Sequence, residues 1–302
     1  MNLKGKLEAG GFVVCGELSP PRNQNAQIVR RRLAYYNGFV DAINTTDNQT
    51  AVVRMSSIAA ATIVQSEGGE AIMQMTCRDR NRIGIQSDLL GASAMGIHNV
   101  LCLTGDHQKF GDNPEARGVF DLDSIQLIAL VSQMNEGYLL SGHKMNQPTQ
   151  FFIGGAANPF AKPLDMRVIR LEKKIAAGAQ FIQTQPVLDI DLFKIWMERI
   201  IDKGLHEKAA IIPGVMLFRS SAPLIHIRDH VPGLHASDKL IKRVEAAVDP
   251  EAEGLKIARE IVGTLREIEG IRGIHLLPIN NHQIIPQFLK DLDLQPVQDE
   301  AP

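Results

Sequence analysis

Eight short apolar runs recur along the chain, each followed by a stretch with helical spacing. They cover residues 12–17, 40–46, 71–76, 99–104, 150–156, 180–185, 209–216 and 273–279. Most are continuously apolar rather than alternating, the pattern of parallel strands covered on both faces. The segments between them are long enough for crossover helices. Residues 81–96 place Ile85, Leu89, Leu90 and Ala94 on one stripe; residues 167–177 place Val168, Leu171, Ile175 and Ala176 on another and stop at Gly178. Residues 250–268 follow Asp249-Pro250-Glu251, an N-cap with proline in the first turn, and turn Leu255, Ala258, Ile261, Val262 and Leu265 inward. Eight alternating units predict an α/β fold, a single (β/α)8 TIM barrel over residues 1–292 with residues 293–302 as a C-terminal tail. An open doubly wound sheet competes, but no G-x-G-x-x-G follows the first run and no G-x-x-x-x-G-K-[ST] occurs anywhere.

Polar residues at the strand C-termini of such a barrel face the mouth where ligands bind. The first run, Phe12-Val13-Val14-Cys15-Gly16, exits into Glu17 and then Pro20-Pro21, which forbid further pairing. The fourth exits through Leu103-Thr104-Gly105-Asp106. Other ends contribute Thr45, Thr46, Asp47, Asn48, Gln74, Thr76, Asn158, Gln183, Gln185, Asn280 and Asn281. Amides and hydroxyls dominate, which suits a heterocycle with many ring nitrogens and carbonyls, such as a flavin or a pterin. No G-x-S-x-G elbow and no strand-end lysine points to acyl-enzyme or Schiff-base chemistry. Glu17, among apolar neighbours, is the first candidate for a general acid, because burial disfavours its charged form. The alternative is a capping carboxylate or one paired with Arg22. Asp106 either faces the mouth or braces its loop by accepting backbone N–H groups. Gly154-Gly155 reads as close backbone approach to a ligand or as a bent strand end. Residues 107–122, the longest irregular stretch, follow a strand end and are expected to cover or line the site.

Composition narrows the classes. The 302 residues are 44 % hydrophobic and 22 % charged, ordinary globular values. Net charge is −2 and no dense basic tract exists, so nucleic acid is excluded as a partner. Arg30-Arg31-Arg32 reads as a solvated helix face, with a phosphate site as the alternative; Lys173-Lys174 carries the same pair of readings. Cys15, Cys77 and Cys102 are scattered and odd in number, consistent with buried thiols in a reducing compartment. No run approaches 18 apolar residues and Met1-Asn2-Leu3-Lys4 opens no signal peptide, so a cytoplasmic protein without a membrane partner is expected. His226 and His230 have zinc-binding spacing, with His235 nearby, but Ile227 stands where a metalloprotease has glutamate and no local ligand completes a set; no metal site is expected.

The set Gly16-Glu17-Leu18-Ser19-Pro20-Pro21-Arg22, Gln74-Met75-Thr76-Cys77, Leu103-Thr104-Gly105-Asp106 and Gln183-Thr184-Gln185 resembles, in order and spacing over nearly the whole chain, the methylenetetrahydrofolate reductase family. Thr46-Asp47-Asn48-Gln49, Cys77-Arg78-Asp79-Arg80-Asn81 and Leu103-Thr104-Gly105-Asp106-His107 are similar to the branch found in anaerobic acetyl-CoA-pathway metabolism. The resemblance implies a barrel with a flavin, FAD or alternatively FMN, across its C-terminal mouth. It implies that Glu17 protonates N10 of methylenetetrahydrofolate and that flavin N5 delivers hydride to the methylene carbon. It places Asp106 between flavin and pterin and Gln185 on the pterin. It makes Thr45, Gln74, Thr104, Gly105, Asp106, Asp121, Asn158, Ala161 and Lys174 flavin contacts.

Some positions depart from the family pattern. Gln74 is commonly histidine and Thr104 commonly arginine, and Asn280-Asn281-His282 stands where many members have Asn-Arg-Ala. The missing arginine weakens the case for NADH as direct reductant and points to an iron–sulfur partner subunit; a homo-oligomer is also compatible. Competing functions are a flavin-free NADH-dependent reductase, a non-catalytic folate-binding subunit of a methyl-transfer complex, and an unrelated barrel lyase or aldolase. Retention of both Glu17 and Asp106 argues against the silent subunit.

Overall fold

Each of the eight apolar runs becomes a strand of one closed parallel barrel. The computed structural model describes residues 1–231, 233–279 and 281–294. The strands are β1 Val13–Leu18, β2 Ala42–Thr45, β3 Ala71–Thr76, β4 Asn99–Leu103, β5 Phe152–Ala157, β6 Phe181–Pro186, β7 Ala210–Leu217 and β8 Gly273–Pro278. Consecutive strands pair in parallel, and β8 returns to β1 with Cys15 opposite His275. The helices are α1 Leu3–Glu8, α2 Ala26–Leu33, α3 Ser57–Ser66, α4 Arg82–Ala94, α5 Ser124–Asn135, α6 Leu164–Ala176, α7 Ile190–Asp202, α8 Ala222–His230, α9 Asp238–Glu245, α10 Pro250–Glu267 and α11 Ile285–Lys290. The (β/α)8 expectation is met. Most of the 293–302 tail, and Asn280, lie outside the described residues.

The barrel has two cores, as the period of two in a strand requires. One lies between sheet and helices. The other fills the lumen with Val13, Cys15, Ala42, Ile72, Leu101, Phe152, Phe181 and Ile212, closed from below by Leu3 and Leu7 of α1. Leu3 N–H on Glu70, Lys6 Nζ on Asp41 and Arg272 on the Leu7 carbonyl tie α1 to the strand N-termini. The bottom of the barrel is therefore sealed with apolar side chains, one ion pair and hydrogen bonds, Glu17, Asn44, Gln74 and His275 lying toward the opposite end. Gly154 belongs to this packing: a Cβ there would sit 2.2 Å from the Phe181 ring. The close neighbour of Gly154 is a core phenylalanine.

Two helix stripes differ from expectation. In α4 the buried row is Ile85, Leu89 and Ala92, while Leu90 and Ala94 face outward. At about 100° per residue, Leu90 is rotated ~140° and Ala94 ~180° from Ile85. In α6, Val168 and Leu171 pack inward as expected and Ala176 is exposed. Lys174 is buried instead. All three cysteines are buried and free.

Candidate active site

Glu17 is the third inward residue of β1, one turn of the pleat above Cys15, and its side chain is only 14 % exposed. Its Oε2 lies 3.5 Å from His275 Nε2, and its Oε1 3.4 Å from Gln49 Nε2. Asn44 approaches the other ring nitrogen of His275 at 3.3 Å. With that amide nitrogen donating to Nδ1, the ring proton sits on Nε2 and faces the carboxylate. Behind the strand, the Tyr36 hydroxyl donates to the Glu17 carbonyl and meets His282 Nδ1 at 2.7 Å. The single phenolic proton is thus used, so His282 donates from Nδ1. Burial, then the charge of Arg32, lowers the His282 pKa to about 4, which keeps the ring neutral. Burial, then Glu17, holds the Tyr36 hydroxyl well above its ordinary range. Gly16 is required for this arrangement, since a Cβ would come within 2.3 Å of the Tyr36 ring. Arg22 does not pair with Glu17. It binds Asp112 at 2.6 Å instead.

Asp106 reaches the same region through one short segment. Gln49 contacts Glu17, and the next backbone N–H, of Thr50, donates to Asp106 Oδ2 at 3.2 Å. Two adjacent residues therefore bridge the two acids. Asn48, Thr50 and Ala51 all have positive φ (45°, 55° and 57°), which costs such residues roughly 1–3 kcal/mol each. Neighbouring loops hold the segment in this shape. Arg78 donates to the carbonyls of Asn48 and Asp106 at 3.1 and 3.2 Å, and Asp112 accepts from Val53 N–H at 3.2 Å. Gly111 passes so close that a Cβ would meet the Ala51 carbonyl at 1.8 Å. The 107–122 stretch does cover this part of the mouth. Gly105, at φ 92°, makes the turn that carries Asp106. Asp106 is exposed and braces a loop by accepting the Thr50 N–H, which is the second of its two readings.

Asp47 lies beneath that segment and is almost wholly buried. Its Oδ2 accepts from the Thr76 N–H and hydroxyl, both at 2.9 Å, and from Arg80 Nη1 at 2.7 Å. Its Oδ1 accepts from Arg80 Nη2 at 3.2 Å. Hydrogen bonding to a carboxylate this dry fixes the β2 and β3 exits to each other.

A second group gathers at the β5 and β6 exits. Asn158, Lys174 and Gln185 line a cavity of about 160 Å³ together with Arg167 and Arg170. Arg167, Arg170 and Lys174 follow helical spacing on α6; of the three, only Lys174 is a contact implied by the resemblance. Asn158 Oδ1 accepts from Phe160 and Ala161 N–H at 2.9 and 3.2 Å, and the Ala161 carbonyl accepts from Arg167 Nε at 3.1 Å. The Lys174 ammonium donates to the Ala156 carbonyl. Burial, then Arg170, lowers its pKa from 10.5 to about 8. Between about 8 and 10.5 the unfolded chain holds a proton that the folded chain has released, so this group makes folding more favourable as pH rises through that window. Binding has the opposite sense. A phosphate in this cavity stabilises the ammonium form, and its affinity is expected to fall, roughly tenfold, as pH rises from 7 to 9. Calorimetry with inorganic pyrophosphate in two buffers of different ionisation enthalpy measures the coupled proton uptake; Lys174→Met is expected to abolish it.

The remaining candidates are placed as follows. Gln74 is a buried lumen residue of β3, and Gln183 lies beside Cys15 in the lumen. Thr45 is buried with its hydroxyl on the Ser57 carbonyl, at the start of α3. The Thr104 hydroxyl accepts from Ser124 N–H at 3.1 Å, and Asp121 is held at a pKa of about 2 by its bonds to Arg82. Asn281 is buried with its amide on Glu251. His226 and His230 lie against each other with tilted rings, centroids 5.2 Å apart. Among the described residues no three His, Cys, Asp or Glu side chains come together as metal ligands, and no helix is long and apolar enough to cross a membrane. Sequence reasoning missed Tyr36, Gln49 and His275, because nothing local marks a residue whose importance is its distance from Glu17.

A sequence model describing methylenetetrahydrofolate reductase matches residues 2–293. The chain belongs to that family. Among curated methylenetetrahydrofolate reductases, a probable NADPH enzyme of Caenorhabditis elegans is 26 % identical over 80 % of this chain but only 35 % of its own length. The 5,10-methylenetetrahydrofolate reductase of Pectobacterium carotovorum is 24 % identical over 78 % of this chain and 74 % of its own. The chain thus spans about a third of the nematode relative and half of an Arabidopsis thaliana relative named for NADH. Among solved structures, an uncharacterized Clostridium thermocellum protein that binds two copies of 5-methyltetrahydrofolic acid superposes with a TM-score of 0.70, covering 97 % of both chains at 12 % identity. At that identity the likeness establishes a shared (β/α)8 barrel alone.

Proposed function

We propose that this chain reduces 5,10-methylenetetrahydrofolate to 5-methyltetrahydrofolate by hydride transfer from a bound flavin. The observation that carries the reading is the bridging of Glu17 and Asp106 by the consecutive residues Gln49 and Thr50 at one end of the barrel. Glu17 is recessed, as a proton donor at the mouth needs to be, and the ring N–H that flanks it is placed to stabilise the carboxylate left once the proton has gone. It gives its proton to N10, the N10–methylene bond breaks, and the cation remains on N5. His275 Nε2–H then faces the carboxylate that has formed. Asp106 holds the pterin's amide and amino edge by accepting from it, and Gln185 binds the same ring. The proposal is supported by family membership and by the methyltetrahydrofolate named for the Clostridium neighbour.

The residues present fit a flavin nucleotide. Arg167, Arg170 and Lys174 supply three cations for phosphates, Asn158 and Gln185 supply amides, and Ala156 and Ala157 leave room for a ring system. When bound, a reduced flavin supplies the hydride that turns the methylene carbon into methyl. We assign the electrons to a low-potential donor, such as an iron–sulfur partner subunit, rather than to NADH. Asn281 departs from the arginine of the family pattern, and its amide is already committed to Glu251. Absence of a bidentate cation typically costs one to two powers of ten in affinity for a phosphate or carboxylate. Some relatives are named for NADH or NADPH, so the test is direct. The purified protein is expected to show a flavin absorption band, to bleach rapidly with a low-potential donor and to form 5-methyltetrahydrofolate. With micromolar NADH in a stopped-flow mixer it is expected to bleach slowly. A colourless protein that turns over with NADH defeats the flavin assignment; fast saturable bleaching by NADH defeats the donor assignment.

A further inference from the structure

The two oxygens of the Glu17 carboxylate face two different donors. Oε2 has His275 Nε2 at 3.5 Å, and Oε1 has Gln49 Nε2 at 3.4 Å. Asn44, 3.3 Å from the far ring nitrogen, keeps the His275 proton on Nε2. This set of partners suits a carboxylate. A carboxylic acid carries a proton on one oxygen, and that proton needs an acceptor rather than a second donor. Oε2, already facing a ring N–H, is the poorer seat for it. The proton therefore belongs on Oε1, opposite Gln49.

Gln49 can serve both states. Its Oε1 accepts from the Ser19 hydroxyl at 2.9 Å while its Nε2 faces Glu17. Half a turn of the amide exchanges its two ends without changing its shape. Nε2 then donates to the Ser19 hydroxyl oxygen, and Oε1 accepts from the Glu17 O–H. A hydroxyl both donates and accepts, so Ser19 is satisfied in either orientation. The unequal lengths, 2.9 Å on Ser19 and 3.4 Å on Glu17, fit an amide anchored by the serine and facing the acid more loosely. The backbone beneath is already fixed: the Thr50 N–H is on Asp106, and Arg78 holds the Asn48 carbonyl. Only the side chain has to turn. Other titratable or charged groups nearby are Tyr36 and His282 behind β1, Arg32, whose charge acts on both, and Asp106. Among the described residues, Gln49 and His275 alone contact the Glu17 carboxylate.

We infer that Gln49, with Ser19 behind it, is a positioning residue whose amide turns as Glu17 changes protonation state. Before proton transfer, the Gln49 carbonyl oxygen accepts from the Glu17 O–H and keeps that proton on Oε1. The proton passes from Oε1 to the substrate amine nitrogen. The bond from that nitrogen to the methylene carbon breaks with its electron pair staying on nitrogen, the positive charge on the iminium and the negative charge on Glu17. Nothing is oxidised or reduced in this step. The amide then turns, and its N–H donates to the new carboxylate beside His275. The role in turnover rests on the folate reading above; the turning of the amide is a property of the protein alone.

Proton–nitrogen correlation NMR of the full-length protein reads the turn without substrate. The side-chain amide signals of Gln49 are identified by their loss in Gln49→Met, at an exposed position whose own φ is not left-handed. As pH is lowered until Glu17 takes up its proton, these signals are expected to move in one step. The step is expected to vanish in Glu17→Gln and to weaken in Ser19→Ala. Signals that stay in place in the native protein, or that move equally in Glu17→Gln, overturn the proposal.

Turnover reports the role. Gln49→Met is expected to lower kcat for methylenetetrahydrofolate by about tenfold to a hundredfold, the range for one hydrogen bond to a charged group, with KM nearly unchanged. Flavin reoxidation by a quinone, which does not draw on the Glu17 proton, is expected to keep its native rate. Gln49→Lys, which only donates, and Gln49→Glu, which as a carboxylate only accepts, are each expected to lose as much as methionine. Native turnover by either shows that one end of the amide suffices, and overturns the switch. In the Glu17→Gln background Gln49→Met is expected to have no further effect, whereas a general structural lesion would add to it. A native protein whose Gln49 signals move with Glu17 but which forms no 5-methyltetrahydrofolate keeps the amide switch and defeats the folate reading.

Discussion

Glu17→Gln is expected to leave flavin binding and flavin reduction as in the native protein and to lower folate reduction by ~10²–10⁴-fold, the range for removal of a general acid. The substitution preserves shape. Glutamine at 17 keeps one oxygen, which accepts either from Gln49 or from His275 Nε2–H, the contacts seen at 3.4 and 3.5 Å on the two carboxylate oxygens, while its NH2 takes the other position. What it cannot do is give up a proton at N10 and carry the resulting negative charge. Single-turnover mixing of the reduced protein with methylenetetrahydrofolate separates the steps. Flavin reoxidation is expected to stall, while equilibrium binding of 5-methyltetrahydrofolate, which needs no proton, persists. Turnover at the native rate would remove Glu17 from the chemistry, whatever its position.

Asp47→Ala is expected to have the largest effect on stability, about 3–5 kcal/mol, the range for stripping one partner from a buried ion pair. Four hydrogen bonds end on this carboxylate: two from Thr76 and two from Arg80. Its removal leaves the Thr76 N–H buried without an acceptor and frees one side of a guanidinium only 16 % exposed. At roughly 2.1 cal/mol/K of unfolding entropy per residue, the loss corresponds to a midpoint some 5–8 °C lower. Calorimetry measures it directly. Asp47→Asn, which keeps an acceptor but loses the charge, is expected to fall between the two. A melting temperature unchanged in Asp47→Ala would show that Arg80 holds the β3 exit through Asp88, its partner at 2.8 Å, without Asp47.

These two aspartate and glutamate positions mark how far the sequence could be read. Both stand at strand ends and both entered the inventory of mouth residues, yet one faces the lumen and the other is spent on holding loops together. Alternation within a strand separates such neighbours only once the register is known. Glu17 pairs with Asn44 in the β1–β2 ladder, which fixes Asn44 as inward and puts Thr45 on the helix side, against Ser57. The same logic explains α6. Its stripe was legible, but whether Lys174 at its border met solvent or the β5 carbonyl edge depended on how closely the helix docks on β5, where a Cβ at Gly155 would stand 3.5 Å from the lysine stem.

The amino-acid sequence by itself determined the barrel, because continuous apolar runs of strand length alternating with amphipathic segments admit few other arrangements that bury both faces of every strand. It also determined the family, through motifs whose order and spacing match from the first strand to the last helix. Only the tertiary structure decided which polar residues meet. Glu17 finds Gln49, 32 positions on, and His275, which β8 carries to it by closing the barrel on β1. Arg22, adjacent to Glu17 in the motif, turns away to Asp112, 90 positions distant. Contacts of this separation follow from ring closure and from which loops pack over which strand ends, and a one-dimensional pattern carries no term for either.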